Sequence, residues 1–216
     1  MAGRASSYVA KPYMIGVAGP SCAGKTELAE RLSVLLPAPV LALDNYYLDY
    51  SERPLNERAQ LNFDIPESLD HDLFRAHVLA LSRGEEIARP VYDFTSHTRT
   101  RATKPVKPGP FVIVEGLFVL HWEDVRSLLD TRVFVDLDDR TCLGRRIFRD
   151  VNERGRTPES VIIQFSQMVR PMAEKYVRPT RSFADVVVFG DDPIDASVAV
   201  VMAHVDRTAY KRAVGT

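Results

Sequence analysis

The stretch "MIGVAGPSCAGKT", Met14 to Thr26, decides the fold. It opens on an apolar run without in/out alternation, the signature of a strand buried on both faces of a parallel sheet. It continues into "GPSCAGKT", Gly19 to Thr26, which fits G-x-x-x-x-G-K-[ST], and then into a helical pattern. A phosphate-binding loop requires that succession. Gly19 and Gly24 let backbone N–H groups converge on phosphate oxygens where a Cβ would intrude, with Pro20, Ser21, Cys22 and Ala23 forming the cradle between them. The start of the following helix adds its partial positive charge. Lys25 supplies a point charge to the β and γ phosphates of a nucleoside triphosphate, and the Thr26 hydroxyl is a ligand for Mg²⁺.

Outward from this loop, short β-branched runs alternate with helical patterns. Helices are expected at about 25–36, 69–82, 122–129, 140–153, 158–176 and 194–204. Strands are expected at "VLAL", "FVIVE", "RVFVDL" and "DVVVF". The fold class is therefore α/β, a doubly wound, mainly parallel sheet of the phosphate-loop nucleotide-binding type. Two regions break the rhythm: 49–107, read as an inserted acceptor-binding segment, and 140–156, read as a helical lid. Residues 1–216 are read as one domain.

Composition narrows the partners. The 28 Lys and Arg balance 29 Asp and Glu, so there is no global basic field of the kind that attracts nucleic acid or anionic membrane. "MAGRASSYVAKPY" has no secretory apolar stretch and "FVIVEGLFVL" is too short and broken for a membrane span, so a cytoplasmic protein is expected. Cys22 and Cys142 match no metal-ligand spacing and read as free thiols.

Acidic residues at strand ends supply the chemistry. Glu115 closes the apolar run "FVIVE", where an unpaired buried carboxylate would be costly, so a metal-linked role is favoured over a structural hydrogen bond. Asp44 ends "VLAL" on the same sheet edge as the phosphate loop. It is suited to orient an alcohol and take its proton, the alternative being a turn or cap role. Asp44, Glu115 and Thr26 make up the expected metal-ligand set.

From Arg140 to Arg156 the chain has six arginines and no lysine. Forked guanidinium donors suit the oxygens of a phosphoryl group in transfer, and closing them over the site would exclude water. Leu143, Ile147 and Val151 recur at i, i+4 and i+8 and are expected to form the packing stripe, with Arg146 and Arg149 on another face. "RPVYDFTSHTRT", Arg89 to Thr100, has no helical period; alone it fits either a small aromatic core or a binding surface.

Taken together, "GPSCAGKT", "DNYY", "NFDIPESLD", "RPVYDFTSHTR", "VIVEG", "RRIFRDVNERGR" and Gln164 in "IIQF" resemble the uridine–cytidine kinase family of the phosphoribulokinase-like kinases, over about 14–188. The resemblance implies phosphorylation of the 5′-hydroxyl of uridine or cytidine by ATP, with GTP as an alternative donor, in the presence of Mg²⁺. Other readings are a kinase of the same scaffold acting on pantothenate or a sugar phosphate, and a non-catalytic nucleotide-binding regulator. By the resemblance, Asp44 and Lys25 are catalytic and Arg149 and Arg154 are lid residues facing the triphosphate. Asp64 binds the ribose hydroxyls, Phe63 and Phe94 flank the pyrimidine, and Tyr92 and His97 read its 4-position edge. Arg146, Arg156 and Gln164 are further nucleoside contacts. The resemblance also implies a homo-oligomer, in many members a tetramer.

Two departures from the family pattern stand out. Ile65 occupies the usual histidine position after Asp64, so altered packing is expected there. Phe189-Gly190-Asp191-Asp192 replaces the common Pro-Arg-Gly turn, which bears on the choice of phosphate donor.

Overall fold

The computed structural model describes residues 11–58 and 60–214, so the expectation drawn from the first ten residues lies outside it. The central sheet is built from β1 (Tyr13–Ala18), β2 (Val40–Ala42), β5 (Phe111–Glu115), β6 (Thr131–Asp136) and β7 (Val186–Phe189), in the order β2-β5-β1-β6-β7. Every pairing in it is parallel. Between these strands run α1 (Lys25–Leu35), α2 (Leu55–Arg58), α3 (His71–Ser82), the hairpin strands β3 (Ile87–Asp93) and β4 (Thr98–Val106), and α4 (Glu123–Arg126). After β6 come α5 (Asp139–Arg154), α6 (Pro158–Gln164) and α7 (Arg170–Met172), then β7 and α8 (Ile194–Val214).

The strands are apolar throughout because both of their faces are covered. Along β1, Met14 and Ala18 enter one core while Tyr13, Ile15 and Val17 enter the other; on β5, Val112 and Val114 part from Ile113 in the same way. Each fully buried Val or Ile contributes roughly 1.5–3 kcal/mol relative to exposure. A one-residue slip in register would exchange the two cores, which differ in shape, so the register is well specified. Parallel pairing also brings the carboxyl ends of β1, β2 and β5 to one edge.

Several elements differ from the sequence-based expectation. The rod expected over 158–176 is helical, but π-turns interrupt it at Phe165–Val169 and Ala173–Val177. The closing helix runs ten residues further than expected, to Val214, and the helix expected over 122–129 is the single turn α4. "RPVYDFTSHTRT" folds as part of the antiparallel β3–β4 hairpin, whose turn is held by Asp93 accepting from Thr95 N at 2.9 Å and from Ser96 Oγ at 2.6 Å. His97 takes a left-handed conformation, φ 52°, as the chain re-enters β4. Among the described residues no helix is long and apolar enough to cross a membrane.

Candidate active site

The phosphate loop links β1 to α1 and has the conformation its glycines permit. Gly19 has φ 149° and a Cβ there would overlap the Val135 carbonyl oxygen, while Gly24 has φ 107° as the left-handed N-cap of α1. Cys22 shares the positive-φ region at 65°. Lys25, only 8% exposed, curls back and donates from Nζ to the Pro20 carbonyl at 2.8 Å. This holds the ammonium within the loop, with donors to spare for an anion.

Two carboxylates approach the loop from neighbouring strands. Thr26 Oγ1 donates to Glu115 Oε1 at 3.4 Å, and Glu115 is 5% exposed at the end of β5. Gly116 follows it with φ 154°, where a Cβ would overlap the Leu43 side chain. That close approach brings the turn Leu43–Tyr46, and with it Asp44, beside Glu115. Burial pushes the Glu115 carboxyl up to about 7 and the Asp44 charge adds to this, against the pull of Lys25 and the Thr26 hydrogen bond. Burial likewise raises Asp44, opposed by Lys25, Arg149 and Arg154.

The group of Thr26, Asp44 and Glu115 therefore fits Mg²⁺. The donors are all hard oxygens, and a dication would offset the mutual repulsion that keeps both acids reluctant to ionise. No cluster of three or more acidic, His or Cys metal ligands occurs among the described residues. Mg²⁺ commonly binds through one or two carboxylates and completes its shell with water and phosphate oxygens, so this pair is sufficient.

Helix α5 corrects the expected packing stripe. The residues of α5 that are buried are Cys142, Arg146 and Asp150, at i, i+4 and i+8, whereas Leu143, Ile147 and Val151 are half-buried. The face that packs inward meets the phosphate loop, so it carries polar groups. Arg146, 7% exposed, donates to Ser21 Oγ at 3.1 Å and to Gln164 Oε1 at 3.2 Å. Asp150 is fully buried among Arg146, Arg149, Arg154 and Arg156, with N–O separations of 3.6, 2.9, 3.6 and 3.5 Å. Gly155, left-handed at φ 62°, ends the helix and turns Arg156 back toward Asp150 and into a hydrogen bond with Gln164.

Arg145 points elsewhere. Its guanidinium donates to the Gly190 carbonyl at 2.8 Å and to the Cys22 carbonyl at 3.4 Å, joining the phosphate loop to the turn after β7. A Cβ at Gly190 would overlap the Ala23 carbonyl oxygen, so the altered 189–192 turn retains glycine where it presses on the loop.

Beside Asp44 lies an aromatic pocket. Phe63 stacks on His97 with centroids 5.2 Å apart and planes at 15°, while Tyr92 and Phe94 meet edge-on at 5.2 Å. Tyr47 touches both Phe63 and Tyr92 at 5.3 Å. Phe94, 44% exposed, lies under the Arg154 guanidinium at 5.9 Å, so the end of α5 meets the hairpin there. Burial raises the Asp64 carboxyl, with Arg146 opposing and Asp44 adding to the rise. Arg99 fastens the hairpin to this wall by donating to Asp70 Oδ2 at 2.8 Å, Tyr46 O at 3.0 Å and Tyr47 O at 3.2 Å.

The sequence-derived residues thus gather on one sheet edge in two groups, one around Lys25, Asp44 and Glu115 and one around Phe63, Tyr92, Phe94 and His97. His97 lies against the face of Phe63. Sequence reasoning missed Tyr47, Arg145 and Asp150 as parts of the site. Tyr47 stood within the recognised "DNYY", but Asp150 had signalled only charge balance.

Comparison with known proteins matches this chain to the "Phosphoribulokinase / Uridine kinase family" over residues 14–191. It is 45% identical over 181 residues to a uridine kinase of Deinococcus deserti, covering 82% of this chain and 87% of that protein. It is 39% identical over 198 residues to a uridine kinase of Chloroflexus aurantiacus, covering 90% and 95%. Phosphoribulokinase from Rhodobacter spheroides superposes with a TM-score of 0.60 at 16% identity, over 85% of this chain and 74% of that one, a likeness of fold.

Proposed function

The chain belongs to the phosphoribulokinase/uridine kinase family, and from that premise we propose that it transfers the γ-phosphoryl group of ATP to the 5′-hydroxyl of uridine or cytidine. The observation that carries this reading is the partly buried carboxylate of Asp44, lying within electrostatic reach of Lys25, Arg149 and Arg154. An alcohol positioned there meets a proton acceptor on one side and cations for the transferring group on the other.

In the proposed reaction, the phosphate-loop amides and Lys25 hold the β and γ phosphates. The 5′-oxygen forms a bond to the γ-phosphorus as the bond to the β,γ-bridging oxygen breaks. ADP leaves with that electron pair and Asp44 takes the hydroxyl proton. Arg149 and Arg154 neutralise charge on the equatorial oxygens, and the closed lid excludes water that would otherwise accept the phosphoryl group. Mg²⁺, held by Thr26, Glu115 and Asp44, would supply charge neutralisation at the β and γ phosphates.

Residues 49–107 act as the acceptor-binding insertion and 140–156 as the lid. Phe63 and Phe94 offer apolar faces to the base, Tyr92 and His97 its polar partners, and Asp64 an acceptor for the ribose diol. Arg146, Arg156 and Gln164 brace the nucleoside side of the lid.

The test is an assay of the purified protein with ATP and Mg²⁺ against nucleosides, pantothenate and sugar phosphates, following ADP and product. The expected product is uridine or cytidine 5′-monophosphate; failure to form either overturns the proposal. Asp44→Asn is expected to lower kcat about 10²–10⁴-fold while leaving ATP binding largely intact.

A further inference from the structure

Arg99 lies on β4, but its guanidinium is turned to the chain that follows Asp44. Nε donates to the Tyr47 carbonyl at 3.2 Å and one terminal nitrogen to the Tyr46 carbonyl at 3.0 Å. The other terminal nitrogen pairs with Asp70 Oδ2 at 2.8 Å, and the side chain is 19% exposed. Sequence reading gave Arg99 no role.

Asp44 belongs to the one short turn Leu43–Tyr46, so its carboxylate goes where that turn goes. The sheet fixes the upstream end: Ala42 pairs with Glu115, and Leu43 closes on Gly116. Tyr46 fixes the downstream end. It is fully buried, its ring meets Phe74 edge-on at 5.0 Å, and its hydroxyl is hydrogen-bonded to His77 Nδ1 at 2.8 Å. Its carbonyl accepts from Asp70 N at 2.8 Å as well as from Arg99. Asp70 in turn caps α3 by accepting from Leu73 N at 3.1 Å. Of these partners, Asp70, Phe74 and His77 belong to α3 and its cap, and Arg99 comes from the hairpin.

We propose that Arg99 is a positioning residue for phosphoryl transfer: by holding the Tyr46 and Tyr47 carbonyls it sets Asp44 against the acceptor hydroxyl. The hairpin that walls the acceptor pocket and the turn that carries the proton acceptor are then held as one unit. This rests on the kinase reading above, with Asp44 as proton acceptor. Two successive carbonyls accepting from one planar fork are fixed in direction as well as distance, which a single ammonium cannot do. Proton transfer requires the hydroxyl and carboxylate within hydrogen-bond reach, and a misplacement of about 1 Å costs about a hundredfold in rate. The competing role is structural, with Arg99 merely pinning the hairpin to α3 through Asp70.

The test crosses Arg99→Ala and Arg99→Lys with Asp44→Asn and reads steady-state kcat and KM for uridine and ATP. Alone, Arg99→Ala should lower kcat about a hundredfold, with both KM values within about threefold. Arg99→Lys keeps the charge against Asp70 but cannot hold both carbonyls. It should lose about tenfold, and it stays informative if the alanine variant folds poorly. In the Asp44→Asn background either substitution should change the residual rate by less than about threefold, because the group that Arg99 positions is gone. An equal loss in both backgrounds would make Arg99 structural alone, and a change confined to nucleoside KM would make it a substrate contact; either result overturns the proposal, as does an unchanged kcat. If Asp44→Asn alone turns over normally, the parent assignment of Asp44 falls and this one with it.

Discussion

Arg149 Nε donates to Asp150 Oδ1 at 2.9 Å, and Asp150 has no solvent exposure of its own. The other carboxylate oxygen makes ion contacts of 3.5–3.6 Å with Arg156 and Arg146 but no hydrogen bond. One anion therefore holds four guanidinium groups whose mutual repulsion would otherwise spread them. In the proposed reaction Arg149 and Arg154 face the phosphoryl group because Asp150 gathers them. Asp150 is therefore expected to act as a positioning residue. Asp150→Asn is expected to lower kcat about a hundredfold with a smaller change in KM for ATP, and to destabilise the protein by about 3–5 kcal/mol, as for other broken buried ion pairs. Asp150→Glu should restore part of kcat. Thermal melting together with kcat separates the roles, and a variant that melts early but turns over normally would make Asp150 structural alone.

Glu115 gives a pH signature. Its carboxyl is pushed up to about 7 in the folded protein, against an ordinary value of 4.5 when unfolded. Between those values the folded state holds a proton that the unfolded state has released, so stability declines as pH rises through the window. In metal-free protein the decline is about 3 kcal/mol, at about 1.4 kcal/mol for each unit. Mg²⁺ binds the ionised form, so its affinity should rise with pH up to about 7 and then level off. Melting curves and Mg²⁺ titrations from pH 5 to 8 read both trends, and Glu115→Gln should flatten them. Metal affinity that is flat with pH in the unmodified protein would remove Glu115 from the metal site.

Much of this was legible in the sequence for one reason: the parallel strands and the phosphate loop are specified locally. A strand covered on both faces must be apolar throughout, and Gly19 and Gly24 mark backbone conformations that other residues resist. The hairpin was not legible because β4, "TRTRATKPV", is largely solvent-exposed and has no alternating apolar face. The Leu143, Ile147, Val151 stripe misled because an apolar period normally faces a core, and here the inward face of α5 meets the polar phosphate loop. Asp150 was hidden for a related reason. Its burial depends on Gly155 turning Arg156 back and on Gln164 arriving from the next helix, neither of which a local pattern encodes.

The turn after β7 makes a separate prediction. Gly190 lies so close to the Ala23 carbonyl that a methyl group cannot fit without moving the phosphate loop, and Arg145 joins the same two segments. Gly190→Ala is expected to raise KM for ATP about tenfold and to cost about 1–3 kcal/mol in stability through overpacking. Arg145→Ala, which removes the link without a clash, should raise KM for ATP while changing the melting temperature little. Nucleoside KM should stay near its original value in both. A change confined to the nucleoside would detach this turn from donor binding.

Asp64 supplies the last test, on the sugar. Its carboxyl is raised by burial and restrained by Arg146, so it lies in a poorly solvated place where an acceptor needs a donor opposite. A ribose offers two adjacent hydroxyls to such a group and a 2′-deoxyribose only one. One carboxylate oxygen would then lose its partner on binding the deoxynucleoside, at a cost of about 1–3 kcal/mol, or roughly 5–150-fold in kcat/KM. The unmodified protein should therefore prefer uridine to deoxyuridine by about that factor. Asp64→Ala should lower the rate on both and bring the two within a few-fold of each other, because neither then has a carboxylate to satisfy. Equal use of uridine and deoxyuridine by the unmodified protein would remove Asp64 from ribose binding.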